Sequence, residues 1–192
     1  MNKKHLFVVI DGVDGVYKTT VAKIIANDCN FKYYKTPNNC FTKFKQEIDA
    51  RANPLERYCF YRLATQVDSM QIKQLLKTTS VICDRYYQST YAYHVVMDPR
   101  IEEIYSDTGI LKPDLSFIFN ARSEIRDQRI QKRAKKLNEL DVEINSDFLD
   151  QVAEMFTQFK SNCVHIDTSD ITSLEVAIKI KEVITHYLRH IK

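Results

Sequence analysis

Apolar residues along this chain follow two rhythms. Short strand-like runs occupy residues 5–11, 31–35, 80–84, 114–120 and 162–167. Between them the apolar positions are three and four apart, as on a helix. The first run holds Val8, Val9 and Ile10 in succession, β-branched side chains with no wet face between them. That is the pattern of a strand buried on both sides. Helical spacing appears over residues 18–28 through Val21, Ile24 and Ile25. Further helices are predicted over 53–77, 86–97, 122–137, 146–160 and 173–189, with a short one within 100–107. Asn53, Pro54 and Glu56 supply a cap, a first-turn proline and a capping-box partner for the longest of these. Thr172 and Glu175 repeat the capping box before the last.

Five strands separated by helical segments predict an α/β fold with a doubly wound, five-stranded parallel sheet flanked by helices. Ligands of such sheets bind beyond the carboxyl ends of the strands. Five stretches fall at those ends: 11–18, 35–37, 84–85, 120–122 and 167–169. No repeat, linker or low-complexity run interrupts residues 1–192, which read as a single domain.

The stretch after the first run, "DGVDGVYKTT" at 11–20, changes the picture most. It nearly matches the phosphate-binding template G-x-x-x-x-G-K-[ST], with Gly12, Lys18 and Thr19 in register. The chain has only three glycines, and Gly12 and Gly15 are both here. A strand, a glycine-bearing turn, Lys18-Thr19-Thr20 and a helix follow in the order a phosphate cradle needs. Lys18 would neutralise the outer phosphates and Thr19 would offer its hydroxyl to Mg²⁺. The plainer alternative is an ordinary strand-to-helix turn with a surface lysine. Tyr17 stands where the template has glycine, and a bulky residue in a glycine conformation costs about 1–3 kcal/mol. Its ring is expected to crowd the phosphates, and Tyr17→Gly to improve ATP use.

A second constellation is "CDRYYQSTYAY" at 83–93. Asp84 could hold Mg²⁺ through water, and Arg85 suits a two-pronged grip on phosphate. Its plainer alternative is a salt-bridged strand end. A third is the basic helix, whose residues 122–136 carry seven Lys and Arg against two acids. Arg122, Arg126, Arg129 and Arg133 share one face. They read either as a solvated surface or as a lid, about 129–145, that carries arginines onto a transferring phosphoryl group.

Composition mostly excludes. A net charge of +3 gives no reason to expect a nucleic-acid or membrane partner, and no apolar stretch approaches a spanning length. The five cysteines are scattered without metal spacing, as expected of free thiols in a reducing, cytoplasmic protein.

Together these residues resemble the thymidylate kinase family of nucleoside monophosphate kinases. The likeness is carried by "VVIDGVDG" with "KTT", "YYKTP", "LERYCFYRLATQ", "VICDRYYQSTYAY", "PDLSFIFN", the arginine-rich segment and "HIDTSD". It spans nearly the whole chain, and "DRYYQSTYAY" is its most specific mark. The resemblance implies the nucleotide-kinase form of the P-loop NTPase fold, commonly as a homodimer. It implies transfer of the γ-phosphoryl group of Mg·ATP to a deoxynucleoside monophosphate. Carried over, Lys18, Arg85, Arg129 and Arg133 would be catalytic. Gly12, Gly15, Lys18, Thr19, Thr20, Thr168 and Ser169 would bind ATP. Asp14, Pro37, Phe60, Arg85, Ser89 and Tyr93 would bind the acceptor, with Phe60 stacking on its base. Thr19 and Asp84 would hold Mg²⁺.

Four positions depart from the family pattern: Tyr17 in the loop, Thr36 where an acid is usual, and Ala64 and Val142 where arginines are usual. They predict an altered acceptor pocket and fewer cations around the phosphoryl group, hence a lower kcat. Two other readings stay open. One is a catalytically weak homologue that binds nucleotide or a partner. The other is a kinase of unphosphorylated deoxynucleosides.

Overall fold

The computed structural model describes residues 5–136, 145–160 and 162–190. Val142 and residues 137–144 of the expected lid lie outside these residues.

The sheet is built from β1 (Phe7–Gly12), β2 (Lys32–Lys35), β3 (Val81–Asp84), β4 (Leu115–Asn120) and β5 (Cys163–Asp167). All pairings are parallel, in the order β2-β3-β1-β4-β5. β1 is central and buried along its whole length, as its unbroken apolar run requires. The chain winds to one side of β1 through β2 and β3, then to the other through β4 and β5. Their carboxyl ends therefore converge on the turn that follows β1.

The helices are α1 (Lys18–Asp28), α2 (Thr42–Arg51), α3 (Pro54–Leu75), α4 (Tyr87–Met97), α5 (Ile101–Ile104), α6 (Ser123–Lys136), α7 (Ser146–Phe156) and α8 (Ser173–His190). The capping box at Asn53 and Glu56 forms with both hydrogen bonds, and Pro54 opens α3. Thr172 and Glu175 cap α8 the same way. The main core lies between the sheet and α1, α7 and α8, centred on Val8, Ile10, Val21, Ile25, Phe117, Val152 and Ile180.

The short helix expected within 100–107 is present, and one further helix was not announced by the sequence. The helix within 100–107 is a single turn, because only Ile101 is driven into the interior there. α2 and the 3₁₀ turn Asn39–Phe41 before it carried no periodic signal, since neither buries any residue.

Asp11 fastens the central strand to α4. Its carboxylate is fully buried and accepts hydrogen bonds from the Tyr86 and Ser89 amides and the Ser89 hydroxyl. Burial pushes this carboxyl above its usual range, and those donors oppose the shift. Asp11→Ala leaves two buried amides without an acceptor, each costing about 1–3 kcal/mol. The variant is expected to melt roughly 5–15 °C lower in a thermal denaturation. A fall of only a degree or two would mean that water replaces the carboxylate.

Candidate active site

The turn from β1 to α1 is shaped by what it must pass. A Cβ on Gly12 would stand 2.2 Å from the Phe119 carbonyl oxygen of β4. One on Gly15 would stand 2.7 Å from the Arg126 carbonyl oxygen of α6. Both glycines have positive φ, and Tyr17 follows in the left-handed region at φ 69°. No side chain caps α1, so its first amides and dipole are left facing the turn. Lys18 is buried and folds back so that its Nζ donates to the Val13 carbonyl. Burial, and then the nearby Arg85 charge, bring its pKa down to about 8. Thr20, by contrast, is exposed on α1.

The Thr19 hydroxyl donates to Asp84 Oδ2 at 2.5 Å. Tyr33 donates to the same oxygen at 3.1 Å, and Lys35 Nζ lies 4.0 Å from it. The other oxygen, Asp84 Oδ1, is buried without a partner. A hydroxyl beside an orphaned carboxylate oxygen is the hard-oxygen donor set that suits Mg²⁺.

Arg85 gathers three of the residues expected to bind the acceptor, Asp14, Ser89 and Tyr93. Its guanidinium donates to Asp14 Oδ1 at 2.6 Å, to the Ser89 hydroxyl at 3.0 Å and to the Gly12 carbonyl at 3.4 Å. Tyr93 donates to Asp14 Oδ2 at 3.0 Å, and its ring lies 5.1 Å from the guanidinium carbon. The Arg85 charge holds the Asp14 carboxyl well below the usual carboxylate range. Burial first, and then the Asp14 carboxylate that its hydroxyl faces, push the Tyr93 phenol up. Asp14, Arg85, Ser89 and Tyr93 line one wall of a cavity of about 650 Å³, with Thr36, Pro37 and Arg133 on others. The Pro37 segment is anchored by Thr36, which donates to the Arg85 carbonyl, and by Asn38, whose amide donates to buried Asp68.

Phe60 does not line this cavity. Its ring packs edge-on against Phe41 and Tyr61, and it is Tyr61 that reaches the cavity wall. Ala64 is fully buried. α3 turns a different face to the cavity: Arg57, Tyr61 and Thr65, four residues apart. From α4 come Thr90, His94 and Met97, and from α2 Lys45 and Asp49. Sequence reading passed over these groups. The four-residue spacing along α3 was the available signal; nothing local marked the α2 residues.

The arginines of α6 have separate fates. Arg122 pairs with Asp170 on the surface. Arg126 is fully buried and bound to Asp127, Asp150 and Ser146, fixing α6 to α7. Arg129 donates to the Thr168 hydroxyl at 3.1 Å, the Thr168 carbonyl at 2.7 Å and the Ser169 carbonyl at 3.3 Å. Arg133 alone of the four lines the cavity. Thr168 and Ser169 are themselves buried.

Tyr17 takes the left-handed conformation that the loop glycine would have. Its ring is drawn to α6, where the Arg129 guanidinium lies over it at 3.9 Å. A cation over an aromatic face is worth about 0.5–2 kcal/mol. The left-handed conformation costs about 1–2 kcal/mol, so the two are of one scale.

A parallel sheet in this order, with a lysine-bearing phosphate loop after its central strand, defines a P-loop NTPase of the nucleotide-kinase type. The thymidylate kinase family model matches residues 10–178, and the chain belongs to that family of nucleoside monophosphate kinases. It is 25% identical to a probable thymidylate kinase of Archaeoglobus fulgidus, over 95% of this chain and 96% of the relative. It is 29% identical to one of Methanocaldococcus jannaschii, over 90% and 92%. Among solved structures it resembles thymidylate kinase from Candida albicans, with a TM-score of 0.76, 17% identity and coverage of 97% and 93%. It also resembles a deoxyadenosine kinase from M. mycoides, with a TM-score of 0.68, 14% identity and coverage of 94% and 100%. At these identities the solved structures speak for the fold alone.

Lys18 must carry a proton to hold phosphate. Its charged fraction falls as pH rises through about 8. In the free enzyme, kcat/KM for ATP is therefore expected to be level near neutrality and to decline above that value. A pH–rate profile that stays flat to about pH 9.5 would contradict the assignment.

Proposed function

We propose that this chain transfers the γ-phosphoryl group of ATP to the 5′-phosphate of dTMP or a related deoxynucleoside monophosphate. One observation carries the reading. Arg85 stands where the phosphate loop meets the cavity, paired with Asp14 and 3.4 Å from the Gly12 carbonyl. An arginine there can hold an acceptor phosphate against donor phosphates cradled at the start of α1.

In this reading Gly12, Gly15, Lys18 and Thr19 cradle the donor phosphates. Lys18 and Arg133 offset charge on the phosphoryl group in flight. An oxygen of the acceptor phosphate bonds to the γ-phosphorus while the bond to the β–γ bridging oxygen breaks, and ADP leaves. The protein's part is positioning and electrostatics. Mg²⁺, arriving with ATP, would neutralise phosphate oxygens, and Thr19 and Asp84 are the residues to hold it, partly through water. Asp14, Ser89 and Tyr93 orient Arg85 and the sugar end of the acceptor. Pro37 borders the cavity beyond them. Tyr61, rather than Phe60, meets the base, with Arg57, Thr65, Thr90 and His94 around it.

A panel of deoxynucleoside monophosphates and nucleosides, scored by ADP release, tests this. Turnover is expected with dTMP or a close relative, and Lys18→Ala should reduce kcat roughly 10²–10³-fold. Preference for unphosphorylated nucleosides would favour the deoxynucleoside kinase reading. No turnover with any acceptor would leave the weak homologue.

The homodimer is part of the same proposal. Leu55, Leu63 and Met70 stand 46%, 60% and 62% exposed along the outer side of α3. An apolar stripe of this kind suits a second copy of the chain. Sedimentation velocity is expected to give a dimer that Leu63→Glu converts to monomer; a monomeric parent protein would remove the idea. The reducing cytoplasm remains the proposed compartment, in keeping with five cysteines that are all free.

A further inference from the structure

We propose that Tyr17 is a positioning residue, whose ring pins Arg129 against the Thr168–Ser169 loop and so completes the donor-nucleotide end of the site before nucleotide arrives. This rests on the reading of the β1–α1 turn as an ATP-binding loop.

The backbone at Tyr17 already has the conformation a glycine would take, φ 69° and ψ 6°. What the substitution adds is the ring. That ring meets Arg129 because α6 passes directly over the turn: Gly15, lacking a Cβ, lets the Arg126 backbone and side chain approach within what would be 2.7 and 2.8 Å. Arg129 follows one helical turn later. Three hydrogen bonds to Thr168 and Ser169 set the guanidinium in its plane, and the Tyr17 ring supports one face of it at 3.9 Å. Thr168 is fastened in turn, its amide and hydroxyl both donating to the Asn120 carbonyl at the end of β4. A continuous strut thus runs from β4 through Thr168, Arg129 and Tyr17 to the phosphate loop.

The strut divides the work of the two arginines. Arg129 has committed its donors to the Thr168–Ser169 loop, while Arg133, one turn on, faces the acceptor cavity. Arg129 therefore shapes the donor end, and Arg133 remains for the phosphoryl group. Tyr17 in place of glycine is part of the site, and removing it should loosen the hold on ATP.

The test compares Tyr17→Phe, Tyr17→Leu and Tyr17→Gly, each in the parent protein and in an Arg129→Ala background. Mg·ATP binding is measured by calorimetry, and KM and kcat are measured separately. Phe is expected to bind Mg·ATP within about twofold of the parent. Leu and Gly should weaken binding about five- to twentyfold, with kcat much less affected. In the Arg129→Ala background the same changes should add nothing, an outcome that a purely structural tyrosine would not produce. A second readout needs no nucleotide. The Arg129 Nε–H proton, part of the guanidinium whose carbon lies 3.9 Å from the ring centre, should show an upfield NMR shift that Tyr17→Leu abolishes. Glycine binding ATP as tightly as tyrosine, full-sized effects without Arg129, or an unshifted Nε–H would each overturn the proposal. Parent protein that binds no Mg·ATP would overturn the functional reading and this one with it; parent binding with unchanged variants would overturn this one alone.

Discussion

Much of this site depends on one buried carboxylate. Asp11, next to last in the central strand, accepts from the Tyr86 and Ser89 amides at the start of α4 and from the Ser89 hydroxyl. A carboxylate taken out of water is costly unless donors replace the water, and here three of them come from the start of α4 and one from the Gly12 amide. The bond ties the exit of β1 to the start of α4. With those two ends fixed, Asp14 of the phosphate loop and Arg85 before α4 have little choice but to meet.

Around that junction most cations already have anions. Arg85 has Asp14, Arg122 has Asp170, Arg126 has Asp127 and Asp150, and exposed Lys35 lies near Asp84. Three arginines of the basic run of α6, Arg122, Arg126 and Arg129, are therefore engaged by structure. Lys18 is different. Its ammonium is buried against a carbonyl, and burial lowers its pKa, which is the condition of a charge awaiting a stronger partner. A polyphosphate would restore the charge and release the lysine from Val13.

The departures from the family pattern acquire separate physical meanings. Thr36 is a tether, bonded to the Arg85 carbonyl. Ala64 is buried, while the cavity is faced by Arg57, Tyr61 and Thr65. A different face of α3 is thus turned to the cavity, and α2 adds Lys45 and Asp49. Selectivity in such a pocket follows the groups left without partners, because a ligand that fails to pair with them bears the cost of their burial. Tyr17, the departure that looked most damaging, is balanced by a contact of the same energetic order.

The sequence by itself determined the strands, the helix starts and the phosphate loop, because these depend on neighbours along the chain. Val8, Val9 and Ile10 can only be buried, Asn53 and Glu56 cap each other locally, and Gly12 to Thr19 is a contiguous motif. It also placed Asp84 and Arg85 at the carboxyl end of β3, the side of the sheet where the loop after β1 lies. Tertiary structure alone decided which face of α3 meets the cavity, since helical spacing permits both Phe60 and Tyr61 as inward residues, and in the fold Phe60 packs against Phe41 while Tyr61 reaches the cavity wall. It alone divided Arg126, Arg129 and Arg133 into buried, docked and cavity-facing groups. And it alone gave Tyr17 its partner, because Arg129 lies more than a hundred positions away and reaches the ring only where α6 crosses a glycine.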